Sequence, residues 1–315
     1  MKVVLAGGSG ALGRHIAEDL DGRGHDVVIL TRRPDPQLPT RQVQWDGENV
    51  AEWAAELDGP HTALINLAGK PVDCRPSKRN IAELIRSRVL PTRALVRASH
   101  HLKTPLTHWI QASTTAIWSD AGETRCDEST PIPVGLPQMT GVAVPWEQAF
   151  DGANTYHGVL LRTSIVLDRD APAMRRLVQL TKLGLGGRVG DGRQWFSWIH
   201  VADWLGVVRA CLGLTPDVTI PAGIVVAAAD HPVRNEELMD TLRRRLHPRY
   251  ALPTPAALLR VGAVALRSDP ALGLTGRHAT SKVLGASGFQ FQFPTLDAAL
   301  ADLLVNDSPV ADRPA

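Results

Sequence analysis

The chain opens MKVVLAGGSGALGRHIAEDL, and no other stretch constrains it more. A short apolar run, Val3 to Ala6, meets a glycine cluster at Gly7, Gly8, Gly10 and Gly13. Helix-period apolar residues follow at Leu12, Ile16 and Leu20. The pattern predicts a strand, a tight turn and a helix N-terminus, and Gly7, Gly10 and Gly13 fit a GxxGxxG spacing. The first turn of a helix presents unpaired N–H groups and the positive end of a dipole, which suit a pyrophosphate. Glycine lets the backbone approach the phosphates with no Cβ between them. Ser9, Ala11 and Leu12 complete the candidate phosphate turn, which fixes the ligand class as a nucleotide.

The second apolar run, DVVILT at 26–31, selects among nucleotides. An acidic residue at the end of that strand would bond a ribose 2′-hydroxyl. Here Arg32 and Arg33 follow instead, and two guanidiniums suit a 2′-phosphate through charge-assisted, bidentate bonds. NADP(H) is therefore favoured over NAD(H), with a solvated surface pair of arginines as the plainer alternative.

Strand patterns at 2–6, 26–31, 41–45, 62–67, 107–112 and 158–166 alternate with helical ones, which predicts a parallel, doubly wound sheet. The strands read as nearly continuous apolar runs, as expected when both sheet faces are covered. A helix is expected over 80–100, interrupted at Pro91. After about residue 167 the texture changes. Residues 182–200 are rich in glycine and aromatics and read as an ordered loop over a site. Helix returns at 201–213 and strand at 221–229, and the remainder is mostly helical with prolines between. The expected fold is α/β: a Rossmann-like doubly wound parallel sheet with a smaller, mostly helical C-terminal substrate domain. The expected division is 1–167, joined by parts of 201–230, for the nucleotide-binding domain, 168–305 for the substrate side and 306–315 for a loose tail. Ligands in such folds bind at the carboxyl ends of the strands, so a cleft is expected between the two parts.

With 34 basic and 32 acidic residues, the net charge of +2 gives no reason to propose nucleic acid or an anionic membrane as a partner. Cys74, Cys126 and Cys211 are odd in number and far apart, which makes neither a disulfide framework nor a metal site. A reducing, cytoplasmic setting is the simpler expectation. No apolar run approaches the roughly 20 residues of a membrane span. The expected partner is a small molecule, and a homodimer is left open.

Taken together, the motifs resemble the atypical extended short-chain dehydrogenases/reductases, the sugar-nucleotide-epimerase-like "epimerase family" proteins. The resemblance spans nearly the whole chain. It rests on GGSGALG at 7–13, TRRP at 31–34, INLAGKPV at 65–72, RSRVLPTRAL at 86–95 and LRTSIVL at 161–167. It continues through KLGLGG and GDGRQWFSWIHVADW within 182–204 and GFQFQFPTLDAAL at 288–300, which are the most distinctive segments. It implies a Rossmann-like domain binding NADP(H), with Gly7, Gly10, Gly13 and Arg32 on the cofactor. It also implies that Leu67, Ala68 and Gly69 pass along the adenosine side and that Arg162 and Thr163 border the nicotinamide end.

Reductases of this class use a Ser/Thr to orient the carbonyl, a Tyr to move a proton and a Lys to lower the Tyr pKa. The segment ASTTAIWSD at 112–120 places Thr114 at the Ser/Thr position, with Ser113 as the alternative and strand-end capping as the plainer role. The Tyr-x-x-x-Lys pair is missing. The stretch GLPQMTGVAVPWEQAF before and through Trp146 and Glu147 holds neither residue, and Pro145 speaks against a regular helix there. Hydride transfer can proceed with proton delivery from water or another side chain. Thr114, Lys70, Arg193, Ser197 and His200 are the candidates, with Trp195 beside them for substrate contact. His200 lies in an apolar run and reads more readily as a hydrogen-bonded core histidine, and Asp203 is expected to cap or brace the helix that starts nearby. Ser87 and Arg88 fit interdomain bonding as well as substrate binding. The leading expectation is an NADP(H)-dependent oxidoreductase acting on a small or medium polar organic substrate. The alternatives are a non-catalytic NADP(H) sensor and a biosynthetic enzyme using the fold without net redox.

Overall fold

The computed structural model describes residues 1–248, 250–265 and 268–304, so the expected loose tail at 306–315 lies outside the described residues. Seven strands form the central sheet: β1 (Lys2–Ala6), β2 (Asp26–Thr31), β3 (Arg41–Gln44), β4 (Thr62–Asn66), β5 (Leu106–Thr114), β6 (Thr155–Thr163) and β7 (Gly223–Ala227). Their order is β3-β2-β1-β4-β5-β6-β7. Every neighbouring pair is parallel, with Ala6 of β1 level with Leu30 on one side and Asn66 on the other. The order reverses between β1 and β4, and this switch point opens a crevice at the strands' carboxyl ends.

The helices are α1 (Ala11–Asp21), α2 (Lys78–Ser99), α3 (Thr140–Gln148), α4 (Pro172–Leu180), α5 (Val201–Cys211), α6 (Asn235–Leu246), α7 (Ala256–Ala265), α8 (Ala271–Leu274), α9 (Lys282–Ala286) and α10 (Leu296–Leu303). Side chains alternate along a strand, so the apolar runs feed both faces. Val3, Leu5, Val27 and Ile29 pack under Ile16 and Leu20 of α1 and Trp204 and Val207 of α5. Val4, Ala6, Leu30 and Leu64 pack under Ala94, Leu95 and Ala98 of α2, with Trp53 and Trp109. A separate apolar cluster joins Met174 and Val178 of α4, Leu238 and Leu242 of α6, and Leu296 and Leu300 of α10.

Three local expectations are corrected. α2 runs unbroken through Pro91. A mid-helix proline costs about 3 kcal/mol, and a 22-residue helix with a continuous buried face offsets that loss. α3 also forms, with Pro145 inside it rather than in its first turn. Trp146 and Glu147 on this helix are buried, and the Glu147 carboxylate is bonded to Arg162, which ties α3 to β6 despite the lost N–H. The strand expected at 158–166 is two elements. β6 ends at Thr163, the Ser164 N–H and hydroxyl both turn to the Ala227 carbonyl, and Ile165–Leu167 then pairs with Trp198–His200. The 182–200 segment contains a wide helical turn at Thr181–Leu185, where Gly184 adopts φ 80°.

His200 starts α5. Its Nδ1 accepts the Ala202 N–H at 3.1 Å, and its ring lies 3.9 Å from Phe293. An imidazole that accepts at Nδ1 carries its proton on Nε2. That atom lies 3.3 Å from Asp302 Oδ2 without the alignment of a hydrogen bond. Asp203 braces the C-terminal segment, accepting the Gln292 and Phe293 N–H groups at 2.6 and 3.0 Å.

Burial holds the His200 pKa below its ordinary value, against the opposing charges of Asp302, Asp203 and Asp168. His108 and His278 shift the same way, again chiefly through burial. The unfolded chain then binds protons that the folded chain does not, so stability is lost as pH falls below about 6.5. Thermal unfolding across pH 7.5 to 5.5 should show Tm falling with pH. His200→Asn keeps an N-cap acceptor and should flatten part of that slope; an unchanged slope would contradict a neutral, capping His200.

Candidate functional site

The glycines of the first turn do different work. Gly7 has φ 78°, and a Cβ there would stand 2.8 Å from the backbone of Leu67 and Ala68. A Cβ on Gly13 would stand 2.5 Å from the Gly8 Cα. These positions let the turn, α1 and the end of β4 touch backbone to backbone. Gly10 is the N-cap of α1, and a Cβ there would meet only the Gly7 carbonyl, at 3.5 Å. No side chain caps α1 and no acid stands in its first turn, so the N–H groups of Ala11, Leu12 and Gly13 face outward with their positive potential uncancelled. The Leu12 side chain itself packs against the core, so only its backbone is available to a ligand.

Thr31, buried at the end of β2, places the basic pair. Its hydroxyl lies 3.5 Å from Ser9 Oγ and accepts the Arg33 N–H at 3.3 Å. Arg32 and Arg33 are exposed, and among the described residues neither guanidinium has a partner. Gly7, Ser9, Gly10, Arg32, Arg33 and the Leu67–Gly69 loop line one cleft of about 870 Å³. Its far wall, apart from Ser87, was not anticipated from sequence. It comprises Trp45, Asp46 and Gly47 after β3, and Ser87, Leu90 and Pro91 on α2. On the β3 side the signal available was the Asp-Gly turn after a strand; on α2 the sequence points only to Ser87, and nothing marks Leu90 and Pro91 as facing the cleft.

The Leu67–Gly69 loop is held from beneath. Asn66, fully buried, donates to Thr92 Oγ1 at 3.0 Å and Gln111 Oε1 at 2.9 Å and accepts the Ala68 N–H at 3.0 Å. Ser87 accepts the Lys70 N–H, and Arg88 donates to the Lys70 carbonyl. Ser87 and Arg88 therefore fasten α2 to this loop. Lys70 lines an adjoining cleft of about 440 Å³ with Arg79, Asn80 and Glu83.

At the ends of β5 and β6 the expected redox residues separate into two groups. Ser113 Oγ donates to Glu147 at 2.5 Å, and Arg162 Nε and Nη2 donate to the same carboxylate at 2.9 and 2.8 Å. All three are buried, and the Arg162–Glu147 ion pair and the Ser113 hydroxyl that donates to it are engaged with one another rather than free. Thr163 accepts the Trp204 indole N–H. Thr114 caps a 3₁₀ turn by accepting the Ala116 N–H at 3.1 Å, and remains only partly buried. α3, the helix that would carry the Tyr and Lys, presents Met139 and Ala143 at i, i+4 spacing, the same spacing that leads on to Glu147.

The substrate-side expectations also divide. His200 takes the core-histidine position: it is 3% exposed, caps α5 and packs on Phe293. Trp195 lines a small pocket and is fixed between the His278 ring at 4.1 Å and the Arg234 guanidinium at 3.9 Å. Arg193 is exposed beside it, and its carbonyl accepts from Arg234. Among the described residues no cluster of His, Cys, Asp and Glu could hold a metal ion, and no helix is long and apolar enough to cross a membrane.

Comparison with known proteins gives two family matches. Residues 3–139 match the NAD dependent epimerase/dehydratase family, and residues 254–303 match a domain of unknown function, DUF1731. The chain is 30% identical to the epimerase family protein YfhF of Bacillus subtilis, covering 98% of this chain and 100% of that protein. It is 29% identical to the human epimerase family protein SDR39U1, covering 96% and 100%. A crystal structure of the human protein with NADPH superposes with a TM-score of 0.83 at 28% identity, covering 97% of this chain and 100% of that one.

The glycine geometry makes a testable distinction. Gly7→Ala and Gly13→Ala should each lower stability by about 1–3 kcal/mol, through a strained φ or backbone overlap. Gly10→Asp, which supplies a favourable N-cap, should leave Tm unchanged or slightly higher. Thermal unfolding of the three variants checks this; a Gly10→Asp loss equal to that of Gly13→Ala would contradict it.

Proposed function

The chain belongs to the epimerase family of NAD(P)-binding proteins, and from that premise we propose that it is an NADP(H)-dependent oxidoreductase acting on a small or medium polar organic substrate. The observation that carries the reading is the pair of unpartnered guanidiniums, Arg32 and Arg33, on the rim of the cleft that Gly7 and Gly10 also line. The cleft fits the dinucleotide on its own terms. Gly10 lines the cleft and a Cβ there would meet only the Gly7 carbonyl, the α1 N-terminus offers N–H donors that no side chain caps, and among the described residues no carboxylate pairs with Arg32 or Arg33. The human relative was crystallised with NADPH, which agrees with this choice.

In this reading the N–H groups of α1's first turn hold the pyrophosphate, Arg32 and Arg33 hold the 2′-phosphate, and Leu67–Gly69 lie along the adenosine side. When bound, NADPH supplies a hydride. The Thr114 hydroxyl, at the carboxyl end of β5, orients the reacting oxygen of the substrate. The Ser113–Glu147–Arg162 network holds β5, α3 and β6 in register beneath it. The missing Tyr and Lys favour a second reading, a non-catalytic NADP(H) sensor. The two share the cofactor site and differ in turnover: oxidation of NADPH with any member of a carbonyl panel supports the first, and stoichiometric binding without oxidation supports the second.

Arg32→Ala should raise the NADPH dissociation constant roughly tenfold or more, as expected for losing a charge-assisted bidentate bond of about 1.5–3 kcal/mol. The NADH constant should change far less. Gly10→Asp should weaken both cofactors through repulsion with the pyrophosphate. Fluorescence titration with both nucleotides checks these outcomes, and an equal effect of Arg32→Ala on NADPH and NADH would contradict the 2′-phosphate assignment.

A further inference from the structure

The small pocket that Trp195 lines, of about 40 Å³, lies where the sheet's carboxyl edge meets the C-terminal segment. Thr115 and Ile165 line it from just beyond the ends of β5 and β6, and Trp195, Thr275 and Arg277 line it from the opposite side. Its volume corresponds to about three water-sized groups. Its walls are fixed. Trp195 is held by the His278 stack, the Arg234 guanidinium and an indole N–H donated to Glu123 at 3.2 Å. Ser197 Oγ donates to the Arg277 carbonyl at 2.6 Å.

Arg277 is the one charged side chain lining this cavity. Its Nε donates to the Ser119 carbonyl at 2.6 Å, and its Nη2 donates to Thr275 Oγ1 at 2.8 Å and lies 3.5 Å from Met139 Sδ. These acceptors are neutral, and among the described residues no carboxylate pairs with Arg277. Its Nη1 and the Thr115 hydroxyl have no partner among the described residues either. Asp120 is close enough to favour the charged guanidinium, but its Oδ1 accepts the Gly276 N–H rather than an Arg277 hydrogen bond. A largely buried guanidinium with no carboxylate in hydrogen-bond contact is costly unless a ligand answers it. It also reaches Met139 on α3, the helix that lacks the Tyr and Lys.

We propose that this cavity is the subsite for a carboxylate on the substrate, bound by Arg277 and Thr115. The inference rests on the oxidoreductase reading for the adjacent role of Thr114. A carboxylate is planar, has three heavy atoms and matches the guanidinium fork, whereas a neutral oxygen leaves the charge unanswered. Thr114 and Thr115 are consecutive, with Cα atoms about 3.8 Å apart. In this proposal the carboxylate lies close to the oxygen that Thr114 orients, and the substrate class is then a short-chain oxo or hydroxy acid.

The test compares pyruvate with pyruvamide, a neutral molecule of the same shape, titrated into the NADPH-loaded protein and read by ligand-observed saturation-transfer NMR. Pyruvate should bind at least tenfold more tightly than pyruvamide. Arg277→Met should abolish the preference, and Arg277→Lys and Thr115→Val should each reduce it, with NADPH affinity unchanged within twofold. Equal binding of the two probes, or a preference that survives in both Arg277→Lys and Thr115→Val, overturns the subsite. Failure to bind NADPH at all overturns the cofactor reading instead, so the two failures are distinguishable. Arg277→Lys and Thr115→Val keep the test valid if Arg277→Met does not fold.

Discussion

Three pieces of backbone meet at the first turn with no side chain between them, and the cofactor cleft depends on that contact. Gly13 rests on Gly8, and Gly7 rests on Leu67 and Ala68, at distances no Cβ would allow. The contact aims the N-terminus of α1 at the crevice where the strand order reverses between β1 and β4. Any larger residue would push α1 away from the sheet and with it the free N–H groups. Gly10 stands apart from this packing, which is why it separates binding from folding.

Beyond the cleft, the ends of β5 and β6 are organised by charge rather than by close contact. Glu147 takes hydrogen bonds from Ser113 and from two nitrogens of Arg162, all buried. Removing one partner of a buried ion pair strands the other and costs about 3–5 kcal/mol. The network joins β5, α3 and β6, and it occupies side chains that a catalytic role would need free. What remains is the partly buried Thr114, and beyond it Thr115 and Arg277, which line the small cavity. In the proposed reading, the substrate end of the molecule is built from the sheet edge and the C-terminal segment together.

Much of this was legible in the sequence, for reasons that are local. The strand–turn–helix at 1–20, the arginines after β2 and the alternation of strands with helices depend on neighbours close in the chain. The elements missed depend on distant ones. Pro91 and Pro145 sit within helices because buried faces and the Arg162 partner outweigh a lost N–H. Ser113, Arg162 and His200 read as site residues by position along the chain, yet each is occupied by a partner that the chain order does not reveal. Arg277 went unnoticed because its significance lies in what surrounds it: a cavity, neutral acceptors and Met139, which is 138 positions away.

The central claim is that unpartnered positive charge on Arg32 and Arg33 selects the 2′-phosphate. The direct measurement is calorimetric titration of the unmodified protein with NADPH and with NADH at low and high ionic strength. The account predicts one-to-one binding of NADPH, tighter than NADH at low salt, with a preference that shrinks as salt screens the exposed guanidiniums. Equal affinity for the two nucleotides, or a preference indifferent to salt, would contradict it.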